Sequence, residues 1–401
     1  MPLKWTGPRQ FSIDPRSEEC FLDPYAIYQE LHSVPGPVYW NDYDLWCLTS
    51  FEHVDSTLKS TAFARLPYSR EQPHYPAHLQ HFAAVERYSL LALEAPEHTR
   101  LRRSLNRSFV TKEINKLAPI IQQHANDCID NIIQQGRAEL LQDYAAPIPV
   151  RVIAGMLGVP LEESRQLLNW SHAMVKVYTL TQNKQDEVAA DQAAYAFDQR
   201  LQNLITEKRK QPGDDLISSW IHEHELGDEE MISLAILLLN AGHEATVHQL
   251  GNAIKLLIEH PEHRTQLLES DKQADAVVAE ALRFDPPLHL FTRYAQIDAD
   301  LGFGVRLKKD QQVALLLAAA NRDPTRFTNA NQLDPKRKDG ATLALGAGTH
   351  FCVGAYLSKL ELRIALQVLF IRLPSLRLQS PTQYKDSFHF HGLEKLDVRW
   401  Q

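Results

Sequence analysis

The run Leu345-Gly346-Ala347-Gly348-Thr349-His350-Phe351-Cys352-Val353-Gly354 sets a single thiol among glycines and leads into Ala355-Tyr356-Leu357-Ser358-Lys359-Leu360-Glu361, which reads as the start of a helix. Glycine lets a backbone turn tightly, so the Cys352 sulfur can project from a loop while the next residues begin that helix. A thiolate beside a helix N-terminus is stabilised by the helix dipole and by nearby N–H donors, which lowers the thiol pKa and suits the sulfur to hold a metal. A lone Cys also serves as a small buried hydrophobe, and the residue by itself leaves that open. Gly346 and Gly348 begin like a dinucleotide-binding fingerprint, but Phe351 stands where the third glycine belongs, so the phosphate reading fails on spacing.

A second chemical stretch, Asn240-Ala241-Gly242-His243-Glu244-Ala245-Thr246-Val247-His248, lies in the middle of a helix expected from about Asp228 to Glu259. At 1.5 Å per residue such a helix extends roughly 45–50 Å. From Met231 to Leu239 it is apolar on nearly every side, which places it in the core. A glycine costs a helix about 1 kcal/mol, and a buried carboxylate costs desolvation, so something must compensate both. The zinc-protease pattern HExxH is not met, because its second His belongs at position 247, where Val247 stands. Pairing of Glu244 with a buried cation, and a satisfied core or interface role for His243, both stay open.

Two more pairs have helical spacing. Glu280 and Arg283 are three apart, the spacing of an i,i+3 ion pair. His98 and Arg102 are four apart and share one face of a helix whose first turn suits Pro96; alone, that pair describes a solvated face.

The elements that must position these groups are mostly helical. Residues from about Pro24 to His32 have helical periodicity, and Pro37 to Thr49 reads as a hairpin around Asn41-Asp42. Leu66 to Leu93 is an irregular, proline-containing stretch of the kind that more often carries function than mere connection. From Ile114 to His260 the pattern is almost entirely helical, broken at Gly158-Val159-Pro160 and around Gln211-Pro212-Gly213. No linker divides the 401 residues, so one domain over 1–401 is expected. A net charge of −8 argues against nucleic-acid binding. The four cysteines, Cys20, Cys47, Cys128 and Cys352, show no disulfide or zinc spacing and fit a reducing compartment. No run approaches the roughly 20 apolar residues of a membrane span, and no signal segment opens the chain; a cytoplasmic protein without membrane attachment is expected.

The Cys loop resembles the haem-binding signature of cytochromes P450, with Leu345, Ser358 and Lys359 as departures that keep the chemical character of the usual residues. The resemblance continues through Glu94 to Leu105, through Ala241-Gly242-His243-Glu244, and through Glu280 and Arg283 followed by Asp285-Pro286-Pro287 and Arg293. It ends with Ala320 to Pro324, Leu333 to Arg337 and the closing segment His391 to Trp400, all in the family's order. It implies a mainly α fold with small β-sheets, a long central helix over the cofactor, and one haem b (iron protoporphyrin IX). Cys352 would be the axial iron ligand, with Gly346 in its loop. His98, Arg102, Arg293 and His350 would meet the haem propionates, since a buried dianionic edge needs such cations. Glu280, Arg283 and Arg337 would form a buried network that supports the loop.

By the same resemblance Glu244 is the acid that helps deliver protons during oxygen activation, but the position of the family's Thr falls on Ala245. Thr246 lies one residue, about 100°, further round the helix. The implied activity is monooxygenation of a small, largely apolar organic molecule with O2. Electrons would come from a ferredoxin or flavodoxin served by an NAD(P)H-dependent reductase, and the enzyme would be a monomer. The resemblance places Leu237, Ala241, Ala245, Leu288, His289, Leu290, Phe291, Phe388, His389 and Phe390 around the substrate pocket, Leu66–Leu93 as a flap and Ser164–Arg209 as a lid. A basic group of Arg100, Arg103, Arg107, Lys112, Lys336, Lys338, Lys359 and Arg363 would gather on the thiolate side and steer an acidic partner. Ala245 keeps open a peroxide-driven or otherwise atypical haem-thiolate oxidation, and a non-catalytic haem sensor or docking module is the alternative outside enzymes.

Overall fold

The computed structural model describes residues 3–69, 74–178, 183–386 and 390–400. Helices dominate, and eight of them frame the site: α1 (Gln80–Glu86), α2 (Glu97–Ser108), α3 (Pro147–Leu157), α4 (Ser164–Val175), α5 (Lys184–Lys210), α6 (Asp228–Glu259), α7 (Asp271–Phe284) and α8 (Ala355–Arg372). The central helix α6 has the bounds its sequence suggests. Asp228, Glu229 and Glu230 fill its first turn, where carboxylates complement the helix dipole, and Glu230 accepts a hydrogen bond from the Gly227 N–H at 3.0 Å. Its apolar run from Met231 to Ile236 is buried throughout. One core cluster packs its first half against α1, α3, α4 and α5, and another packs its second half against α7 and α8.

A mixed sheet lies beside the helices. Strand Gln312–Leu316 pairs in parallel with Leu45–Leu48 and antiparallel with Leu290–Ala295, so that Val313 stands opposite Arg293. Val38–Trp40 and Leu45–Leu48 form the expected hairpin. Two expectations need correction. Strand Arg137–Glu139 interrupts the supposedly helical Ile114–His260 region and pairs with Asp397–Arg399; only three residues long, it carries too little alternation to be read locally. Conversely, α1 forms inside the irregular Leu66–Leu93 stretch, because Asp191 of α5 accepts hydrogen bonds from the His81 and Phe82 N–H groups at 2.7 and 3.0 Å and so caps it from another element. Among the described residues no helix is long and apolar enough to cross a membrane.

Candidate functional site

The Cys352 loop is held as a tight backbone structure. The Gly346 N–H donates to the Leu343 carbonyl at 2.9 Å and the Cys352 N–H to the Leu345 carbonyl at 3.0 Å, before α8 starts at Ala355. Gly348 has φ +69, and a Cβ there would collide with the Leu58 carbonyl, so only glycine fits. The loop is anchored from a distance. Arg283 donates to both carboxylate oxygens of Glu280 at 2.8 Å and to the carbonyls of Asn321, Ala330 and Gln332 at 2.8, 2.9 and 3.1 Å. Arg337 approaches Glu280 at 3.4 Å. Asn321 then accepts from the Leu343 N–H at 2.7 Å and the Thr342 hydroxyl at 2.9 Å, which connects the buried ion pair to the loop backbone. The Asn321 side chain was not singled out by sequence reasoning, because its partners lie more than twenty residues away.

Around the loop stands a set of cations and imidazoles. The Arg102 guanidinium donates to the Phe351 carbonyl at 2.5 Å, and the His98 and His350 rings lie 4.4 Å apart between centroids. His98 is 1% exposed, yet neither ring nitrogen has a hydrogen-bond partner; burial, then the His350 and Arg102 charges, hold its pKa down at about 4. His350 meets Glu94 at 3.3 Å, and Glu94 also accepts from the Arg65 N–H at 2.6 Å. Arg293 is buried, and desolvation followed by the Arg65 charge brings its pKa down to about 10. Glu94 and Arg65 complete this ring without having been proposed from sequence; Arg65 carries no local signal.

Two influences oppose each other at the thiol. Burial pushes the Cys352 pKa up, outweighing the Gly354 N–H and the Arg102 and Lys359 charges that favour the thiolate. The helix start is present, but its pull is smaller than desolvation; a cation at sulfur is what would reverse the balance. The donor set suits haem: a sulfur on a rigid loop, orphaned His98 nitrogens, and Arg102, Arg293, Arg65 and His350 ready for carboxylates.

On α6 the small side chains of Ala241 and Ala245 are at least partly exposed, whereas Thr246 is buried. Gly242 is explained by a close approach: a Cβ there would sit 2.5 Å from Ile153 Cδ1 of α3. The partner of Glu244 is the imidazole one turn on, with His248 Nε2 to Glu244 Oε1 at 2.9 Å. Burial alone would raise the Glu244 pKa, but the His248 hydrogen bond and the neighbouring His and Lys385 charges together hold it well below the carboxylate range. His243 is not a satisfied core residue. It is fully buried with neither nitrogen hydrogen-bonded, and desolvation takes its pKa down to about 3.

The expected pocket residues divide. Leu237, Ala241 and Ala245 share the α6 face, Leu288 bridges to Phe390 near His248, and the Phe291 ring lies 3.5 Å from a Cβ placed on Gly346. His289 and Leu290 require correction. Both His289 nitrogens are engaged, with the Tyr28 hydroxyl at 2.8 Å and the Pro286 carbonyl at 3.1 Å, and Leu290 packs in the cluster of Trp40, Ala314 and Leu316. Strand alternation puts Leu290 on the face opposite Phe291, whereas His289, just ahead of the strand, is held inward by its two hydrogen bonds. Phe388 and His389 lie outside the described residues. The basic group is also reduced: Arg107 is paired with Glu223 and Glu225 at 2.8 and 3.1 Å, Arg363 with Asp271 and Asp275 at 2.5 and 3.1 Å, and Arg100 with Glu230.

The cytochrome P450 family model matches residues 24–396. The biotin biosynthesis cytochrome P450 of Bacillus subtilis is 32% identical over 393 residues, covering 96% of this chain and 98% of that protein. Mycinamicin IV hydroxylase/epoxidase of Micromonospora griseorubida is 33% identical over 369 residues, 89% of this chain and 90% of that protein. The crystal structure of P450BioI in complex with an acyl carrier protein ligated to hexadec-9Z-enoic acid superposes with TM-score 0.89 at 31% identity, covering 94% of this chain and 99% of that one.

Proposed function

This chain belongs to the cytochrome P450 family, whose cofactor is haem and whose reaction is monooxygenation, and we propose that Cys352 is the residue that holds the haem iron. Haem held by a thiolate supplies O2 activation, because electron density from sulfur favours O–O cleavage and so the insertion of oxygen into a C–H bond. The observation that carries the assignment is the ring of donors at the loop: His98, buried with both nitrogens orphaned, stands beside His350, with Arg102 and Arg293 at hand for the propionates. Gly346 shapes the loop, and Glu280, Arg283 and Arg337 keep it rigid through Asn321.

Glu244 is the proton-handling group. Held at Oε1 by His248, it leaves Oε2, which His172 and His243 approach at 3.7 and 3.9 Å without a hydrogen bond, to accept from ordered water and pass a proton on, a role that Ala245 cannot share and that the Thr246 hydroxyl, buried one position round, serves only through water. The small faces of Ala241 and Ala245, with Leu237, Leu288, Phe291 and Phe390, suit a small, largely apolar organic substrate. Electrons come from a separate ferredoxin or flavodoxin, docking where Arg103, Lys112, Lys336, Lys338 and Lys359 remain outside the local ion pairs among the described residues. The protein works as a monomeric, one-domain cytoplasmic enzyme.

The test is optical titration of the ferric protein with fatty acids, terpenoids, small aromatics, macrolactones and carrier-tethered acyl chains. A conversion towards high spin with one class, followed by its oxygenated product on reduction, supports the reading. A normal thiolate spectrum with no response to any class overturns the small-substrate assignment.

A further inference from the structure

We propose that His172, His243 and Glu244 form a binding site for a divalent transition cation of the Zn2+ class, which ties the lid helix α4 to the central helix α6. The ligating atoms of these three residues all lie within 4.8 Å of one another. His172 Nε2 is 3.7 Å and His243 Nδ1 3.9 Å from the same oxygen, Glu244 Oε2, and the two imidazole rings are 5.2 Å apart between centroids. The independent sign of a missing ligand is His243: its side chain is 0% exposed and neither nitrogen makes a hydrogen bond. A buried imidazole left in that condition pays desolvation with no hydrogen bond in return, which a cation between the three residues would offset.

The set is chemically apt. Two imidazoles and one carboxylate are a known zinc complement, with water in the fourth position. At about 2.0–2.1 Å from metal to ligand, tetrahedral geometry sets ligand atoms about 3.3–3.5 Å apart, so each imidazole must close on Glu244 Oε2 by a few tenths of an ångström, and the two imidazole nitrogens, within 4.8 Å of each other, by up to about 1.4 Å. His172 can supply that movement, because it is half exposed on α4, and the carboxylate is already oriented: His248 holds Oε1 at 2.9 Å, which leaves Oε2 facing the two imidazoles. His248 is itself fixed, since a Cβ on Gly392 would collide with its ring. Lys385 and Lys176 carry the opposing charge nearby, and they temper the affinity. The pattern differs from HExxH, since the third ligand comes from another helix some seventy residues earlier, so a local motif cannot reveal it.

Occupancy has two consequences. It staples α4 to α6, and it removes Glu244 Oε2 from hydrogen bonding. The site rests on the geometry of these side chains, and its test does not depend on turnover. Zn2+ is titrated calorimetrically into the ferric holoprotein and into His172→Ala, an exposed-side change whose folding is verified by an unaltered haem spectrum. Hydrogen exchange over residues 164–175 is measured with and without the ion. The expected result is about one equivalent bound by the parent, an affinity at least ~10-fold weaker in the variant, and slower exchange in α4 for the parent alone. Three results would overturn the site: no binding by the parent, equal affinity in both proteins, or binding without α4 protection, which would mark an adventitious ion only.

Discussion

Replacing Gly242 by Ala tests whether α6 is placed by its contact with α3. In an isolated helix this change stabilises by about 1 kcal/mol. Here the new methyl would lie 2.5 Å from Ile153 Cδ1, roughly 1 Å inside ordinary contact, and Ile153 is only 4% exposed, so its δ-methyl has little room to swing away. Overpacking of this kind costs about 1–3 kcal/mol, so the net effect of Gly242→Ala should run from neutral to a loss of about 2 kcal/mol. The partner change Ile153→Val deletes Cδ1 and costs about 0.5–1.5 kcal/mol alone. The next nearest atom, Ile153 Cγ1, lies at 3.7 Å, an ordinary contact, so Gly242→Ala in the Ile153→Val background should regain its helix benefit of about 1 kcal/mol. The two changes therefore couple favourably by about 1–3 kcal/mol. The assay is a double-mutant cycle on the ferric holoprotein, followed by helix content and haem-thiolate absorbance. Effects that add to within about 0.5 kcal/mol would refute the close-approach explanation of Gly242.

Two further outcomes follow from the site. Ala245→Thr places a hydroxyl on the α6 face where Ala245 stands and should raise the fraction of reductant consumed that appears as product; equal coupling in both proteins would show that Glu244 and water suffice without it. Glu86, 8% exposed, has its pKa raised by burial to about 7, against which the Tyr178 hydrogen bond and the Arg65 charge act. The folded state therefore binds this proton more tightly than the unfolded chain does, so stability is greatest below about pH 4.3, falls as pH rises to about 7 and is level above; at 1.36 kcal/mol per tenfold the loss is at most ~4 kcal/mol. Glu86→Gln should remove that slope, and unfolding free energies with the same pH dependence in both proteins would exclude it.

Features coded by continuous local pattern were legible in the sequence. The bounds of α6 follow from three acidic residues ahead of an almost continuous apolar run, and the Cys352 loop follows from glycines whose placement admits no side chain at Gly348. What escaped depends on partners remote in the chain. Helix α1 is capped by Asp191, a residue more than a hundred positions away, and Arg107 loses its availability to Glu223 and Glu225 on another element. His289 is a related case: its neighbours Leu288 and Phe291 lie near the site, but hydrogen bonds with the remote Tyr28 hydroxyl and the Pro286 carbonyl turn the His289 ring inward. At Cys352 spacing reports the helix start that favours the thiolate and says nothing about the depth of burial that opposes it.

The two carboxylate oxygens of Glu244 have unequal surroundings. Oε1 is fixed by His248, which lies on the same helix and moves with it. Oε2 faces His172, which belongs to α4, so its environment changes whenever α4 shifts against α6. A proton donor to Oε2 and a cation held by Oε2 need the same lone pairs, so the two uses proposed for Glu244 exclude each other. Zn2+ bound with α4 closed should therefore lower coupling of reductant to product in the parent and leave His172→Ala little affected. Loss of coupling to the same extent in both would place the inhibitory ion elsewhere.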